Sequence, residues 1–229
     1  MNKQTPMSEK TNQTLVTQCH EALRDLILNG DLAPGKKLKV TELTTLLNVG
    51  PTPVREALSR LANTGLVVAT DNKGFRVKDV SEEEVRDLYY TFTEIERIAL
   101  QRSIKFGTSI WEGEVIAALH RLTLLEKKRS VDFLPWLKEN DNFHSTLVSA
   151  CGSPMLLELR NHIYQLLSRY TRLSFINNNR KLSQNNKDHQ IIAKAALARK
   201  DDLACQLLES HLSGSVDHIV KRLKEEKLI

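Results

Sequence analysis

Aromatic residues make up only 5% of this 229-residue chain, so its core has to be built from Leu, Ile, Val and Ala. Cysteine is scarce as well. Cys19, Cys151 and Cys205 are far apart and odd in number, which argues against a disulfide framework and for core thiols in a reducing compartment; a cytoplasmic location is expected. No apolar run approaches the length of a membrane span, and the opening residues, MNKQTPMSEKTN, are polar, so neither a membrane segment nor a secretory signal is expected. Backbone breakers are few and unevenly placed: five of the nine Gly and four of the six Pro fall in residues 1–80. The longer remainder is apolar-periodic and reads as helices throughout.

What is present is a soluble composition with enough apolar residues (41%) for a real core and 27% charged residues for its surface. The net charge is +5. Residues 1–80 carry 11 Lys/Arg against 8 Asp/Glu, and residues 81–229 carry 22 against 20. A basic bias in the shorter segment suits an anionic partner such as nucleic acid, although a solvated surface explains it as simply.

The N-terminal third has its own grammar. Leu15, Val16, Cys19, Leu23, Leu26 and Ile27 recur at helical spacing, and NGDLAPG ends that helix in turns. A short helix is expected over 40–47. After it, PTPVREALSRLA opens another, with Thr52 as N-cap and Pro53 at the first helical position, where a missing N–H costs nothing. Val54, Ala57, Leu58 and Leu61 form its buried stripe, which leaves Thr52, Arg55 and Ser59 on a flank outside it. GLVVAT, DNKG and FRVKDV then read as a strand hairpin with Asp71–Gly74 at its tip. Helix, helix, turn, helix and hairpin is the order of a winged helix-turn-helix, whose recognition helix uses its N-terminal residues on DNA. Arg55 is placed to meet phosphate or guanine. At DVSEEEV, Ser81 is an N-cap with Glu84 completing a capping box, and the acidic first turn suits the helix dipole; a second domain is expected to begin there.

The run LLNVGPTPVREALSRLANTGLVVATDNKGFRV resembles the DNA-binding domain of GntR-type bacterial transcription regulators, over about residues 12–78. The resemblance implies a homodimer reading a palindromic double-stranded operator, with the recognition helix in the major groove and the wing near the minor groove. It carries contacts over to Thr52, Arg55, Lys73 and Gly74. Gly50-Pro51 stands where the family usually has serine-arginine, and Thr41 where it often has a base-reading arginine.

The C-terminal part holds three histidines set in apolar stripes. His144 follows Asn140 by one helical turn among Trp136, Leu137, Leu147, Val148 and Cys151. His189 heads a stripe with Ile192, Ala193 and Ala196, and His211 lies among Ala204, Leu207, Leu208 and His218. A buried imidazole needs a polar partner. Singly, each is most simply a core residue bonded to a carbonyl or water; together, on three helices, they point to convergence on a metal.

NDNFH, DHQIIAKAALARKDD and LLESHL further resemble the all-helical FCD effector domain of the FadR subfamily, over about residues 81–222. The resemblance implies a metal held by Asn140, His144, His189 and His211, with Zn²⁺ or Ni²⁺ as the expected ion. Family members that bind metal typically have Asp where Asn140 stands, and many have arginine where Phe92 stands. With neutral ligands the ion's charge would attract an anion, so a carboxylate effector is expected. The fold class expected is mostly α: a flexible tail over 1–11, a winged helix-turn-helix over 12–80, and an all-α helical-bundle effector and dimerisation domain over 81–229. The function expected is a DNA-binding regulator, read as a repressor, and not an enzyme. The alternatives are a metal-dependent hydrolase, for which no nucleophile motif and no base beyond Asp141 is evident, and a helical adaptor.

Overall fold

The computed structural model describes residues 14–70, 74–127, 133–175 and 185–229. The tail expected over 1–11 and three of the four wing-tip residues, including Lys73, lie outside the described residues. The chain divides into two compact units, Met1–Val80 and Ser81–Ile229.

In the first unit, α1 (Leu15–Leu28), α2 (Val40–Leu47) and α3 (Pro51–Asn63) pack with a three-stranded antiparallel sheet. Its strands are β1 (Lys37–Leu38), β2 (Val67–Thr70) and β3 (Gly74–Val77), in the order β1-β3-β2. β2 and β3 form the expected hairpin, with Val67 opposite Val77 and Thr70 opposite Gly74. β1 was not foreseen: at two residues it has no alternation to read, and it exists because Lys37 and Leu38 find Arg76 and Phe75 across β3. The core gathers Cys19, Leu23 and Ile27 of α1, Leu43 and Leu47 of α2, and Val54, Ala57, Leu58 and Leu61 of α3. Asn48 ends α2 in the left-handed conformation (φ 52°), which Asn tolerates better than most residues.

The start of α3 differs from the expectation. Its cap is Gly50 and its first residue is Pro51, not Pro53 after a Thr52 cap. The reason is the donor count at a helix start. The first helical N–H groups have no acceptor within the helix, so Pro51 and Pro53 both fit within the first turn without losing a bond. Thr52 becomes a helical residue, exposed beside Arg55 and Ser59.

The second unit is helical: α4 (Glu82–Phe106), α5 (Ser109–Glu126), α6 (Phe133–Leu147), α7 (Pro154–Ser174), α8 (Asn185–Leu197) and α9 (Asp201–Glu225). Ser81 caps α4, its Oγ accepting the Glu84 N–H at 3.1 Å, with Glu82, Glu83 and Glu84 in the first turn. The Glu84 carboxylate accepts from the Tyr170 hydroxyl at 2.8 Å, fixing α4 to α7. α4 packs on α7 and α9, α5 on α6 and α8, and α8 on α9. Gly107, after α4, lets the Trp111 ring approach to where a Cβ would stand, 2.4 Å from a ring carbon. Trp111 in turn donates to the Thr146 carbonyl at 3.1 Å, pinning α5 to α6. The three cysteines are free and buried. Among the described residues no helix is long and apolar enough to cross a membrane.

Candidate metal centre and DNA-binding face

His144, His189 and His211 stand on α6, α8 and α9 because each occupies one position of an otherwise apolar stripe, and packing the stripes turns all three inward. Their neighbours Phe143, Leu147, Ile192, Ala193, Ala196, Leu208 and Leu212 are buried with them. The ring centroids are 5.3 Å apart for His144 and His189, 5.4 Å for His144 and His211, and 4.8 Å for His189 and His211. One ligand nitrogen from each lies within 4.8 Å of the others.

The electrostatics suit a cation. Burial, followed by the two neighbouring imidazoles and Arg160, pushes His144 well below the ordinary histidine range. Burial and then His189 push His211 down to about 4, against an opposing contribution from Asp188. Both rings are therefore neutral near pH 7, the form that ligates metal. Nδ1 of His144 and both ring nitrogens of His189 have no hydrogen-bond partner among the described residues. Buried donors and acceptors are ordinarily paired, so these open nitrogens fit a metal-binding role better than that of finished core residues.

His144 and His211 border a cavity of about 540 Å³ whose wall also includes Phe92, Asn140, Arg160 and Tyr164. His189 does not line it and is 0% exposed. Asn140, half-buried one turn before His144, lines the same cavity. Asp141 is not grouped with the histidines: it accepts from Ser145 Oγ at 3.3 Å and lies 3.8 Å from Arg160.

Arg160 is the residue that the sequence reading missed. It is 1% exposed on α7, with Nε donating to Glu96 Oε1 at 2.6 Å and Nη1 donating to Ser145 Oγ at 2.9 Å and Asn161 Oδ1 at 3.2 Å. Its guanidinium lies against the rings of Phe92 and Tyr164, 5.4 and 5.6 Å from their centroids. Nη2 has no acceptor among the described residues. Thus a cation lines the cavity beside Phe92, where the resemblance led one to look for an arginine on α4. The signal was available: Arg160 precedes Tyr164 and Leu167 by four and seven residues, a stripe position like those of the histidines. Glu126, at the end of α5, was missed too. It is buried, accepts from Trp136 Nε1 at 3.1 Å and places Oε1 3.6 Å from His189 Nδ1.

In the first unit, Thr52, Arg55 and Ser59 share an exposed flank of α3, opposite the buried Val54, Ala57, Leu58 and Leu61. Gly74 opens β3 with φ 85°, a conformation that Gly adopts without strain. Lys73 lies outside the described residues.

Comparison with known proteins matches residues 15–77 to the bacterial regulatory proteins of the gntR family and residues 87–214 to the FCD domain. An uncharacterised HTH-type transcriptional regulator, BphR, of Paraburkholderia xenovorans is 33% identical over 208 residues, 89% of this chain and 84% of that protein. The HTH-type transcriptional repressor GlaR of Escherichia coli is 32% identical, covering 83% of this chain and 89% of its own. Among solved structures, E. coli McbR/YncC shares the fold with a TM-score of 0.74 at 20% identity, over 91% of this chain and 98% of that one. These relatives are transcription regulators and not enzymes, which removes the hydrolase alternative. The chain belongs to the GntR family of bacterial transcription regulators, with a DNA-binding winged helix-turn-helix followed by an FCD effector domain.

Proposed function

We propose that this regulator is a cytoplasmic homodimeric repressor of the FadR subfamily that releases a palindromic operator when an organic acid enters a metal-containing pocket. The observation that carries the effector reading is the set of three buried histidines, two of them with open ring nitrogens, on and behind the wall of a 540 Å³ cavity. His144, His189 and His211 would hold a divalent ion, Zn²⁺ or Ni²⁺, with Asn140 as a weaker fourth donor. When bound, such an ion supplies a positive charge that attracts a carboxylate. Asn140 adds no charge to offset it. The open Nη2 of Arg160 offers a second donor for an effector oxygen, and the Phe92 and Tyr164 rings give it an apolar wall.

On the DNA side, Thr52, Arg55 and Ser59 of α3 would enter the major groove, and Lys73 and Gly74 of the wing would approach the minor groove. Two-fold symmetry follows from the few base contacts that one winged unit can make. The repressor sign is supported by the name of the E. coli relative at 32% identity.

The test begins with sequences selected by the purified protein from random DNA. Fluorescence anisotropy on the selected duplex then compares metal-loaded protein with and without a panel of small carboxylates. The expected result is a palindromic site, a 2:1 protein-to-duplex ratio, and release by at least one acid. A protein that carries no metal when purified without chelator, and gains none on dialysis, would refute the metal-containing pocket.

A further inference from the structure

The environment of His189 contains a carboxylate that neither the fold nor the DNA-binding function explains. Glu126 closes α5 with its side chain 0% exposed. Its Oε1 accepts from Trp136 Nε1, while its Oε2 has no partner among the described residues. Among the described residues no lysine or arginine is paired with it; it lies beside the His189 ring, with Nδ1 at 3.6 Å, too far for a hydrogen bond, and its charge is also felt by the His211 ring. A carboxylate in such a place is costly unless something positive is near. His211 shows the same relation in a weaker form, with Nδ1 3.4 Å from Asp188 Oδ2, but that carboxylate is 47% exposed. Two of the three histidines thus have Nδ1 turned toward a carboxylate, which leaves Nε2 as their ligand atom. Metal-binding histidines ordinarily donate their second N–H in this manner, and loss of the acceptor weakens the metal by 10–100-fold.

We propose that Glu126 is the charge partner of the metal centre: its carboxylate, 3.6 Å from His189 Nδ1, favours the tautomer that carries the proton there and leaves Nε2 free for the ion, and it supplies from behind the ligands the negative charge that Asn140 does not supply among them. This rests on the metal reading of the histidine cluster. It also accounts for a neutral amide at position 140, because a buried carboxylate is placed behind a ligand instead of on the ion.

The test uses the full-length protein and competition titration with Zn²⁺ and Ni²⁺ against a chromophoric chelator, alongside thermal melting of the metal-free protein. Glu126→Gln keeps an oxygen for the Trp136 N–H but loses the charge and its pull on His189. Its Zn²⁺ Kd should rise about 10–100-fold, while its metal-free melting temperature stays equal to the wild type or rises. Asp188→Asn should change the Kd by less, since solvent already screens Asp188. The Asn140→Asp/Glu126→Gln pair should regain most of the lost affinity, because the charge returns among the ligands. If Glu126→Gln lowers the metal-free melting temperature, this pair decides, as it carries the same lesion and only the charge has moved. A Zn²⁺ Kd unchanged in Glu126→Gln, while His189→Ala loses the ion, overturns the role of Glu126 and leaves the metal centre standing. Wild-type protein that binds neither ion overturns the metal centre, and this proposal with it.

Discussion

Removing the Arg160 side chain, as Arg160→Leu, should be among the most damaging single changes in the effector unit, and the structure sets the size of the effect. Arg160 and Glu96 are 1% and 0% exposed and joined at 2.6 Å, so water cannot replace the lost cation. Breaking a buried pair from one side costs about 3–5 kcal/mol, because the remaining carboxylate stays buried and uncompensated. The lost bond to Ser145 Oγ adds about 1 kcal/mol. At roughly 2–4 °C per kcal/mol for a unit of this size, the helical unit's melting transition should fall by about 10 °C or more at pH 7.5. The loss should shrink in acid. Burial already raises the Glu96 carboxyl above its ordinary range with Arg160 in place, and without it protonation relieves the buried charge at still higher pH. Replacing both partners, as Glu96→Leu/Arg160→Met, should restore most of the stability, since an apolar pair strands no charge. Differential scanning calorimetry of the three proteins at pH 7.5 and 5.0 is the assay. An Arg160→Leu transition within about 2 °C of the wild type at pH 7.5 would refute the reasoning.

On the DNA side, Arg55→Ala should weaken operator binding by about 1–3 kcal/mol without lowering the melting temperature, since Arg55 lies off the buried stripe; unchanged anisotropy-measured affinity would sink the assignment of α3. His189→Ala should abolish metal binding in competition titration and any effector response, yet leave operator affinity near normal; loss of operator binding in a folded variant would contradict the separation of roles. Asn140→Asp, by adding a charged ligand, should tighten Zn²⁺ and weaken an anionic effector; weaker Zn²⁺ would exclude position 140 from the ion. Metal-stripped protein should lose stability as pH falls from about 6.5 towards 4. His211 takes up its proton near pH 6.5 when unfolded but only near 4 when folded, so the unfolded state binds more protons across that window, worth about 3 kcal/mol for this one group. A chemical-denaturation midpoint that does not move between pH 7 and 5 would count against it.

Local pattern was enough wherever a residue's role is set by its own helix or hairpin. The stripe Val54, Ala57, Leu58, Leu61 identified the buried face of α3, and with it the exposed flank bearing Arg55. Ser81 and the acidic turn after it located the start of α4, and the apolar neighbours of His144, His189 and His211 marked each as inward-facing. Periodicity says which way a side chain points, and these assignments need nothing else. Even within that reach, the start of α3 was misplaced by two residues, because two prolines in one first turn fit more than one helix start.

Other features depended on partners distant in the chain. β1 is a strand only because β3 stands beside Lys37 and Leu38. Arg160 is the buried partner of Glu96, 64 residues away, and Glu126 faces His189 from a different helix. A charge in an apolar stripe is legible, but what neutralises it is not, since an ion pair is decided by distance and dielectric after the helices have packed. The sequence determined that three imidazoles turn inward. Tertiary packing decided that they meet one another, with a carboxylate behind one of them and a guanidinium on the same cavity wall.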